Sequence, residues 1–363
     1  MVGPASAMND LASVSKDEAS RVACGRERAG GSRIVHEIDL DKPGKRSGFL
    51  RLYHSTHESA YGFIPIPLVV INGGPGPTVL FVAGNHGDEY EGQLALTRLA
   101  QELQPEQLGG RVVILPAANL PAVREGRRVS PIDNGNLNRL FPGDPAGSVT
   151  EQIAWFIEDE LLTRCDVVCD LHSGGSSLEY VPCVLVRRRS REKLYSRGVE
   201  LVKSFGAEYV YVSRIAQGGD ATLFGASERK GVVHIGSELG GAGRITPLGL
   251  AIAQRGVRNL LVTMGMLAKE AWTPVEPPRV LVETRGWDDY SYSPEDGVLE
   301  PLTVLGETVE AGQTAARIYF PETPWQRPVE VPFRKSGIVF CQRVPGRVKR
   351  GDCLLHLVGT TEF

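Results

Sequence analysis

The stretch TVLFVAGNHGDEYEG, residues 78–92, joins an almost unbroken apolar run to a polar loop that contains His86 and Glu89. The apolar run, residues 78–83, predicts a strand that is buried on both faces, as in the sheets of α/β proteins. After the loop, leucines recur near helical spacing over residues 90–104 and predict a helix. The stretch therefore predicts a strand, a loop at its carboxyl end, and a helix.

The same alternation of apolar strand and helix continues along the chain. Strands are predicted at 111–117, 166–171 and 231–239, and helices at 149–165 and 249–267. Apolar strands that alternate with helices predict an α/β fold with a parallel or mixed sheet covered on both faces. In such sheets ligands collect at the carboxyl ends of the strands, so the residues that follow each strand are the first candidates for a functional site.

The composition changes near residue 273, where TPVEPPRV forms a Pro-rich connector. Beyond it, residues 298–320 and 337–358 look like two copies of one β-hairpin unit and resemble the sandwiched barrel of biotinyl and lipoyl domains. Those domains carry a modified lysine between the halves, but PETPWQRP has no lysine here and Lys335 lacks the usual flanking residues. We expect a flexible tail at 1–32, a catalytic domain at 33–272 and a small structural all-β domain, barrel-sandwich-like, at 273–363.

Composition and charge exclude several classes of function. A formal net charge of -3 gives no electrostatic reason to bind nucleic acid or an anionic membrane. No apolar run approaches the roughly 20 residues of a membrane-spanning helix, and residues 1–33 lack the apolar segment of a secretory signal. The six cysteines form no C-x-x-C pair and mostly lie in apolar runs, which predicts reduced, buried thiols in a cytosolic protein.

Two strand ends supply the residues of a candidate metal site. His86 and Glu89 follow one predicted strand, and His172, in DLHSGG, ends another. Two histidines and one carboxylate leave a position open for water, as in catalytic zinc sites. The glycines after His172 permit a sharp turn and leave room for a substrate. Asp170 shares a strand face with His172, where it either orients a ligand or is a buried structural acid.

A base and two anion-binding groups complete the candidate site. Glu238, in SELGGAGR, ends the predicted strand at 231–239 and is the candidate for proton transfer to and from water and the leaving amine. In NLNRLFPG, Asn138 and Arg139 place an amide beside a fork-shaped cation, which suits a carboxylate.

Upstream of that pair lie Arg127 and Arg128, one of which can steady the oxyanion of a tetrahedral intermediate. A second group, HSTHE at 54–58, is an alternative metal site, but its setting lacks the helical periodicity that would display the three side chains together. Each of these patterns taken alone is also compatible with an ordinary polar loop.

The ordered set GNHGDE, NLNRLFPG, DLHSGG and SELGG resembles the succinylglutamate desuccinylase and aspartoacylase family, which has a zinc carboxypeptidase-like fold. The resemblance covers roughly residues 45–270, and a C-terminal β-domain is also typical of the family. It departs from the family at Leu120, where proline usually follows the asparagine, and in a segment after Arg128 that is longer than in aspartoacylase. The resemblance implies one zinc ion held by His86, Glu89 and His172, with Glu238 as general base and acid, Arg128 at the oxyanion, and Asn138 and Arg139 on the α-carboxylate of an N-acyl amino acid.

The longer segment is similar to one subgroup of the family, which removes acetate from N-alpha-acetyl-L-2,4-diaminobutyrate in ectoine degradation. That similarity implies a cytoplasmic homodimer and a substrate with a free side-chain ammonium, which Glu179 or Asp220 is expected to face. Three alternatives stay open on the residues alone: a deacylase of another N-acyl amino acid of the aspartoacylase or succinylglutamate desuccinylase type, a metallocarboxypeptidase, and a non-enzymatic binding protein. Two histidines and a glutamate bind several divalent metals, so zinc itself rests on the resemblance.

Overall fold

Residues 78–83 form an inner strand of a large mixed sheet in the computed structural model, which describes residues 32–188, 192–214 and 219–363. The strands are β1 (Ile34–His36), β2 (Gly44–Tyr53), β3 (Phe63–Asn72), β4 (Thr78–Ala83), β5 (Arg111–Leu115), β6 (Val167–His172), β7 (Leu178–Tyr180), β8 (Cys183–Arg187), β9 (Tyr209–Ser213), β10 (Val233–Glu238), β11 (Val280–Glu283), β12 (Tyr290–Tyr292), β13 (Gly297–Pro301), β14 (Thr308–Val309), β15 (Thr314–Tyr319), β16 (Val329–Pro332), β17 (Gly337–Arg343), β18 (Arg347–Val348) and β19 (Cys353–Thr360). The helices are α1 (Tyr90–Glu102), α2 (Leu120–Glu125), α3 (Val149–Phe156), α4 (Glu192–Phe205), α5 (Leu223–Lys230) and α6 (Pro247–Thr263). The predicted tail lies almost wholly outside the described residues.

The order of the strands brings the predicted strand ends together. The large sheet runs β1, β2, β3, β5, β4, β6, β10, β8, β9, β11, β19, β17, β14. β5, β4, β6 and β10 are parallel neighbours, whereas β8 is antiparallel to β10 and parallel to β9. Ala83 therefore pairs with Leu171, and His172 pairs with Glu238. The predicted mixed sheet is confirmed, and its candidate functional residues share one edge.

β4 is apolar throughout because both of its faces are covered. Val79, Phe81 and Ala83 pack into a core with α1, α4 and α6. Leu80 and Val82 pack into a second core with α3, α5 and the inner faces of β1, β2 and β3. A fully buried large apolar side chain stabilises a fold by about 1.5–3 kcal/mol, so a strand between two cores gains from apolar residues at every position.

The predicted helices are present with shifted ends. The 149–165 segment begins as α3, continues as a π-helical turn at Ile157–Leu161 and ends as a 3₁₀ turn at Leu162–Arg164. Ser148 and Glu151 form a capping box at its start, which fixes where the helix begins. No helix in the described ranges combines the length and apolarity that a bilayer crossing requires.

The long antiparallel pair of β2 and β3 has no counterpart among the predicted strands. β2 has three consecutive polar residues, Lys45, Arg46 and Ser47, and β3 contains Pro65 and Pro67, which normally argue against an inner strand. Both strands lie toward the β1 edge of the sheet, where one face stays accessible. The five cysteines within the described residues are free thiols, three buried and two half-buried, and Cys24 lies outside those residues.

The C-terminal region is β-rich, as predicted, and its halves interlock. The two long strands of each half pair with each other, β13 with β15 and β17 with β19. The short strand of each half instead pairs with the first strand of the other half, β14 with β17 and β18 with β13. Val309 and Val348, in the two short strands, are buried in one core. The halves are therefore one interwoven unit and not two independent hairpins.

Two β-ladders cross the predicted boundary at residue 273. β11 lies parallel to β9 and antiparallel to the end of β19, and β7 pairs with β17. Residues 32–363 form a single unit by their contacts. The division into domains at 273 stays a prediction, and the C-terminal strands reach the sheet that carries the candidate site.

The connector that begins at residue 273 is held by one buried side chain of α6. Asn259 is fully buried, and its Nδ2 donates to the carbonyl oxygens of Ser204 (3.1 Å) and Thr273 (2.9 Å). Its Oδ1 accepts from the Thr273 amide at 2.9 Å. Asn259 thus ties α6 to the end of α4 and to the start of the connector.

We predict that Asn259→Leu lowers the free energy of unfolding by about 1–3 kcal/mol, because it removes the donor to the buried Ser204 carbonyl and the partner of the more exposed Thr273 backbone. Urea denaturation measures this change. The control is Ala251→Ser on the exposed face of the same helix, which is expected to change stability by about 0.5 kcal/mol or less. Equal denaturation midpoints for the two variants would contradict the role given to Asn259.

Candidate metal centre and active site

The candidate ligands lie where β4 and β6 end side by side. His86 lies in the loop after β4, Glu89 is the residue that caps the start of α1, and His172 is the last residue of β6. Gly92, in the first turn of α1, lies against Leu171, and a Cβ at Gly92 would come within 2.6 Å of that side chain. The absence of a side chain at Gly92 therefore lets α1 approach β6, which brings Glu89 to His172.

The Glu89 carboxylate lies between the two imidazole rings. Its Oε1 is 2.6 Å from Nδ1 of His86, and its Oε2 is 2.7 Å from Nδ1 of His172. All three residues are buried. Both histidines thus turn the same ring nitrogen toward one point, as two ligands of a shared cation would.

The outer nitrogens of the two rings are also held. Nε2 of His86 is 3.1 Å from Oδ1 of Asn136, and Nε2 of His172 is 2.8 Å from Oδ2 of Asp170. Asn85 donates to both oxygens of Asp170 at 3.3 Å. Acceptors at these positions place the ring protons on Nε2 and leave Nδ1 free to bind a metal. Asp170 therefore has the orienting position that its spacing from His172 suggested.

The remaining acids of the GNHGDEYEG loop brace its surroundings. Asp88 accepts from the amide and the hydroxyl of Ser176, both at 2.7 Å, and so holds the turn after β6. Glu91 is fully buried and accepts from the Thr246 amide at 3.2 Å, at the start of α6. Within this loop, His86 and Glu89 therefore face the candidate metal position, whereas Asp88 and Glu91 bind neighbouring elements of the fold.

The electrostatics of the ligand set favour a cation. Burial works to raise the pKa of Glu89, but His86 and His172 outweigh it and hold that pKa well below its usual range. Burial works to lower the pKa of His172, but Asp170 and Glu89 hold it well above its usual range. The carboxylates thus stabilise a positive charge at this point, whether a proton on His172 or a metal that replaces it.

The donor set fits a divalent metal. The ligand atoms of His86, Glu89 and His172 lie within 4.8 Å of one another, and bonds of about 2.0–2.1 Å need donors roughly 3–4 Å apart. This is the one group of three or more such donors that the described residues bring together. His57 and Glu58 of HSTHE are exposed in the turn between β2 and β3 and take no part in it.

Glu238 lies beside the ligand set at the end of β10. It is paired with His172 across the parallel ladder, and its Oε2 is buried without a hydrogen-bond partner among the described residues. Burial, and then the Glu89 carboxylate, raise the pKa of Glu238 to about 8. An unpartnered carboxyl group with a pKa near neutrality is suited to proton transfer.

The structure places Arg128 at the site and leaves Arg127 outside it. Nη1 of Arg128 is 3.4 Å from Nδ1 of His86 and 3.7 Å from Oε1 of Glu89, so its guanidinium lies over the open side of the ligand set. Arg127 instead contributes its carbonyl oxygen, which accepts from the Gly87 amide at 2.8 Å.

Asn138 and Arg139 line the same cavity. Oδ1 of Asn138 accepts from the Leu223 amide at 2.9 Å, which fixes the amide group and leaves Nδ2 toward the cavity, 3.3 Å from Nε2 of His172. Arg139 donates to the Asn138 carbonyl at 2.7 Å. Burial and then the nearby Arg128 lower the pKa of Arg139, so these donors and cations converge where an anionic substrate group is stabilised.

A cavity of about 420 Å³ opens over the ligand set, Glu238 and these donors. Glu179 and Asp220, the acids expected to face a substrate ammonium, do not line it. Glu179 points to Arg244, with 3.1 Å between their charged groups. Glu179 does not face the cavity because neighbouring residues of a strand point to opposite sides. Leu178 and Tyr180, on either side of it in β7, line the cavity.

Sequence reasoning missed several residues of this cavity. Asn136 lies in the quoted NGNLNR segment, and its contact with His86 has no local signature. His234 has a stronger signal, since it lies four residues before Glu238 on the same face of β10. Its Nε2 is buried without a hydrogen-bond partner among the described residues, 3.9 Å from Oδ2 of Asp170. Tyr290, Phe340 and His356 come from the C-terminal region, and no pattern in the sequence relates them to the metal ligands.

Comparison with known proteins agrees with this arrangement. Residues 75–264 match the profile of the succinylglutamate desuccinylase/aspartoacylase catalytic domain. Over 331 residues the chain is 40% identical to the N-alpha-acetyl-L-2,4-diaminobutyric acid deacetylase of Halomonas elongata, which covers 91% of this chain and 96% of that protein.

Two solved structures extend the similarity to the fold. The product-bound ectoine utilization protein EutE (DoeB) of Ruegeria pomeroyi has a TM-score of 0.87 and 38% identity, covering 91% of this chain and 100% of that one. The succinylglutamate desuccinylase/aspartoacylase of Rhodobacter sphaeroides has a TM-score of 0.85 and 36% identity over the same shares. These similarities confirm the predicted family resemblance and α/β fold.

We predict that Asp170→Asn weakens metal binding by about 10- to 100-fold, because the amide no longer fixes the Nε2 proton of His172 as a charged acceptor does. Titration of the metal-free protein with Zn²⁺ measures the dissociation constant. The matched control is Asp288→Asn, which changes an acid that pairs with Arg334 on the surface. Equal affinity in both variants would remove Asp170 from the metal centre.

Proposed function

Because the chain belongs to the succinylglutamate desuccinylase/aspartoacylase family, we propose that it is a zinc-dependent deacetylase of N-alpha-acetyl-L-2,4-diaminobutyrate. Family membership and the deacetylase relative make the chain a hydrolase of carbon–nitrogen bonds in linear amides. The named substrate is supported by the 40% identity to the Halomonas elongata deacetylase and by the likeness to the ectoine utilization protein of Ruegeria pomeroyi.

The observation that carries the proposal is the meeting of three kinds of group in one cavity. Nδ1 of His86, Nδ1 of His172 and the Glu89 carboxylate converge on one point. Glu238 lies beside them with an unpartnered oxygen, and the guanidinium of Arg128 lies above them. This is the set that hydrolysis of an amide needs: a metal position, a proton carrier and a cation for the developing oxyanion.

A zinc ion held by His86, Glu89 and His172 would supply Lewis-acid polarisation and a water nucleophile active near neutral pH. Glu238 takes the proton of the attacking water and gives it to the leaving nitrogen. Its pKa of about 8, raised by burial and then by Glu89, lies close enough to neutrality for both transfers. Arg128 donates to the carbonyl oxygen as that oxygen gains negative charge.

The α-carboxylate of the substrate is assigned to Asn138 and Arg139. The fixed Nδ2 group of Asn138 and the adjacent guanidinium offer two donors to one carboxylate. With the carboxylate held there, the amide carbonyl lies between Arg128 and the ligand set. We also propose the homodimer and the cytoplasmic location that the family resemblance implies.

The first test is the metal content of the purified protein, followed by acetate release from N-alpha-acetyl-L-2,4-diaminobutyrate with and without a chelator. We expect about one zinc ion per chain and acetate release that the chelator abolishes and added Zn²⁺ restores. N-acetylaspartate, N-succinylglutamate and blocked dipeptides are the comparison substrates. Turnover of one of these instead would replace the substrate assignment, and a chain that binds no metal would overturn the mechanism.

A second prediction concerns Glu238→Gln. Glutamine keeps the shape of the side chain but carries no proton, so we expect kcat to fall by about 10²- to 10⁴-fold while the zinc content stays unchanged. Initial rates and metal analysis of the same preparation measure the two quantities. The control is Glu106→Gln, which makes the same change at an exposed residue that does not line the cavity. Near-normal turnover by Glu238→Gln would exclude Glu238 as the proton carrier.

A further inference from the structure

We propose that an aromatic wall of the cavity, formed by Tyr180, Tyr211, Tyr290, Phe340 and His356, receives the side-chain ammonium of the substrate through cation–π contact at its Tyr290 end. The inference rests on the proposed function, because it presumes a substrate with a free ammonium. It assigns side-chain recognition to rings and not to a carboxylate.

Each carboxylate that lines the cavity already has a partner or a role in proton transfer. Among the described residues, those that line it are Glu89, Asp170 and Glu238. Glu89 lies between the two histidines, and Asp170 accepts from Asn85 and His172. Glu238 must exchange protons with the reacting groups. A substrate ammonium therefore meets no uncommitted carboxylate in the cavity, and a buried cation without a compensating group is costly.

The wall supplies that compensation through ring faces. The rings of Tyr290 and His356 are stacked, with centroids 4.3 Å apart and planes 7° from parallel. Phe340 lies 6.1 Å from His356 and 5.6 Å from Tyr211, so the rings form one continuous surface. Thr284 joins two members of this surface. Its Oγ1 is 2.6 Å from the Tyr211 hydroxyl and 2.8 Å from Nε2 of His356.

Two other members of the wall, Tyr211 and Tyr180, lie near cations of the cavity. Arg187 is close enough to act on the pKa of Tyr211, although burial dominates there, and Tyr180 acts on the pKa of Arg139. Burial lowers the pKa of His356 to about 4, with Asp289 as the opposing charge, so this ring is neutral at physiological pH. An ammonium at the Tyr290 end therefore meets the stacked rings. The Asp289 carboxylate near His356 forms an ion pair with Arg285, so these two charges balance each other.

The wall begins beside the proton carrier. Burial and then Cys341 raise the pKa of Tyr180, and Glu238 lies near enough to contribute to that shift. The Tyr180 ring in turn meets Phe340 edge-on, with centroids 6.0 Å apart. The nitrogen that leaves the acyl group must lie at Glu238, and the substrate side chain is attached one carbon away. A side chain that leaves the reacting nitrogen on the Tyr180 side of the cavity therefore runs along these rings.

The origin of the wall gives the C-terminal region a role in specificity. Tyr290, Phe340 and His356 all lie beyond residue 264, where the match to the family catalytic domain ends. β12 carries Tyr290, β17 carries Phe340 and β19 carries His356, and the three strands pair with one another through β19. The metal ligands and the side-chain pocket thus come from separate parts of the chain.

The test compares Tyr290→Leu with Tyr290→Phe in the zinc-loaded protein. Calorimetry measures the affinity for L-2,4-diaminobutyrate and for L-norvaline, which has a methyl group in place of the ammonium. We expect the wild type to prefer the diamino acid, Tyr290→Phe to keep the preference, and Tyr290→Leu to reduce it by about 5- to 30-fold. The kcat/KM values for the two N-acetyl derivatives should change in the same ratio, mainly through KM.

Two results would overturn the wall's role: a wild type with no preference for the diamino acid, and a Tyr290→Leu variant that keeps the preference, including through equal losses for both ligands. A Tyr290→Leu variant that changes selection between N-acetyl and N-butyryl substrates, and not between ammonium and methyl, would assign the wall to the acyl group instead. Failure of the proposed function is distinct, because it appears as a wild type that binds the diamino acid but releases no acetate.

Discussion

The Glu89 carboxylate between the Nδ1 atoms of His86 and His172 is the interaction on which the site depends. An ionised carboxylate in a buried position is strongly unfavourable unless positive groups surround it. His86 and Glu89 are three residues apart and meet because α1 begins directly after Glu89. His172 meets them because β4 and β6 are direct neighbours. The parallel order of the sheet is therefore a requirement of the ligand set.

The same sheet explains why the candidate metal ligands and Glu238 lie at or directly after strand ends. β4 has one core on each face, so a polar residue within it would need a partner that neither core supplies. Asp170 is a polar residue inside β6, two residues from its end, and its carboxylate accepts hydrogen bonds from Asn85 and His172. At the end of the strand the covering layers separate, and the polar groups there face a cavity instead of a core.

Sequence reasoning recovers the parts of this molecule that are local. The predicted strands near β4, β5, β6 and β10 are present, and so are the helices that alternate with them, because each carries its own apolar period. The structure brings together His86, Glu89, His172 and Glu238 because each follows a strand in a parallel sheet. Asn136 and the C-terminal rings were missed because their relation to the site arises from tertiary contacts alone. Glu179 was a wrong expectation since charge was considered without strand alternation, which turns its side chain away from the cavity.

Charge balance connects the metal centre to the way the cavity treats a cationic substrate. Glu89, Asp170 and Glu238 lie close enough for their repulsion to contribute to the pKa of about 8 at Glu238, after burial. A divalent cation at the ligand set replaces the proton that Asp170 and Glu89 favour on His172, and it reduces the same repulsion. A fourth buried carboxylate for the substrate ammonium would increase the repulsion and raise the pKa of Glu238 further, away from the range in which it can act as a base. Neutral rings stabilise an ammonium without that cost, so the proposed aromatic wall agrees with the same electrostatics that favour a cation at the ligand set.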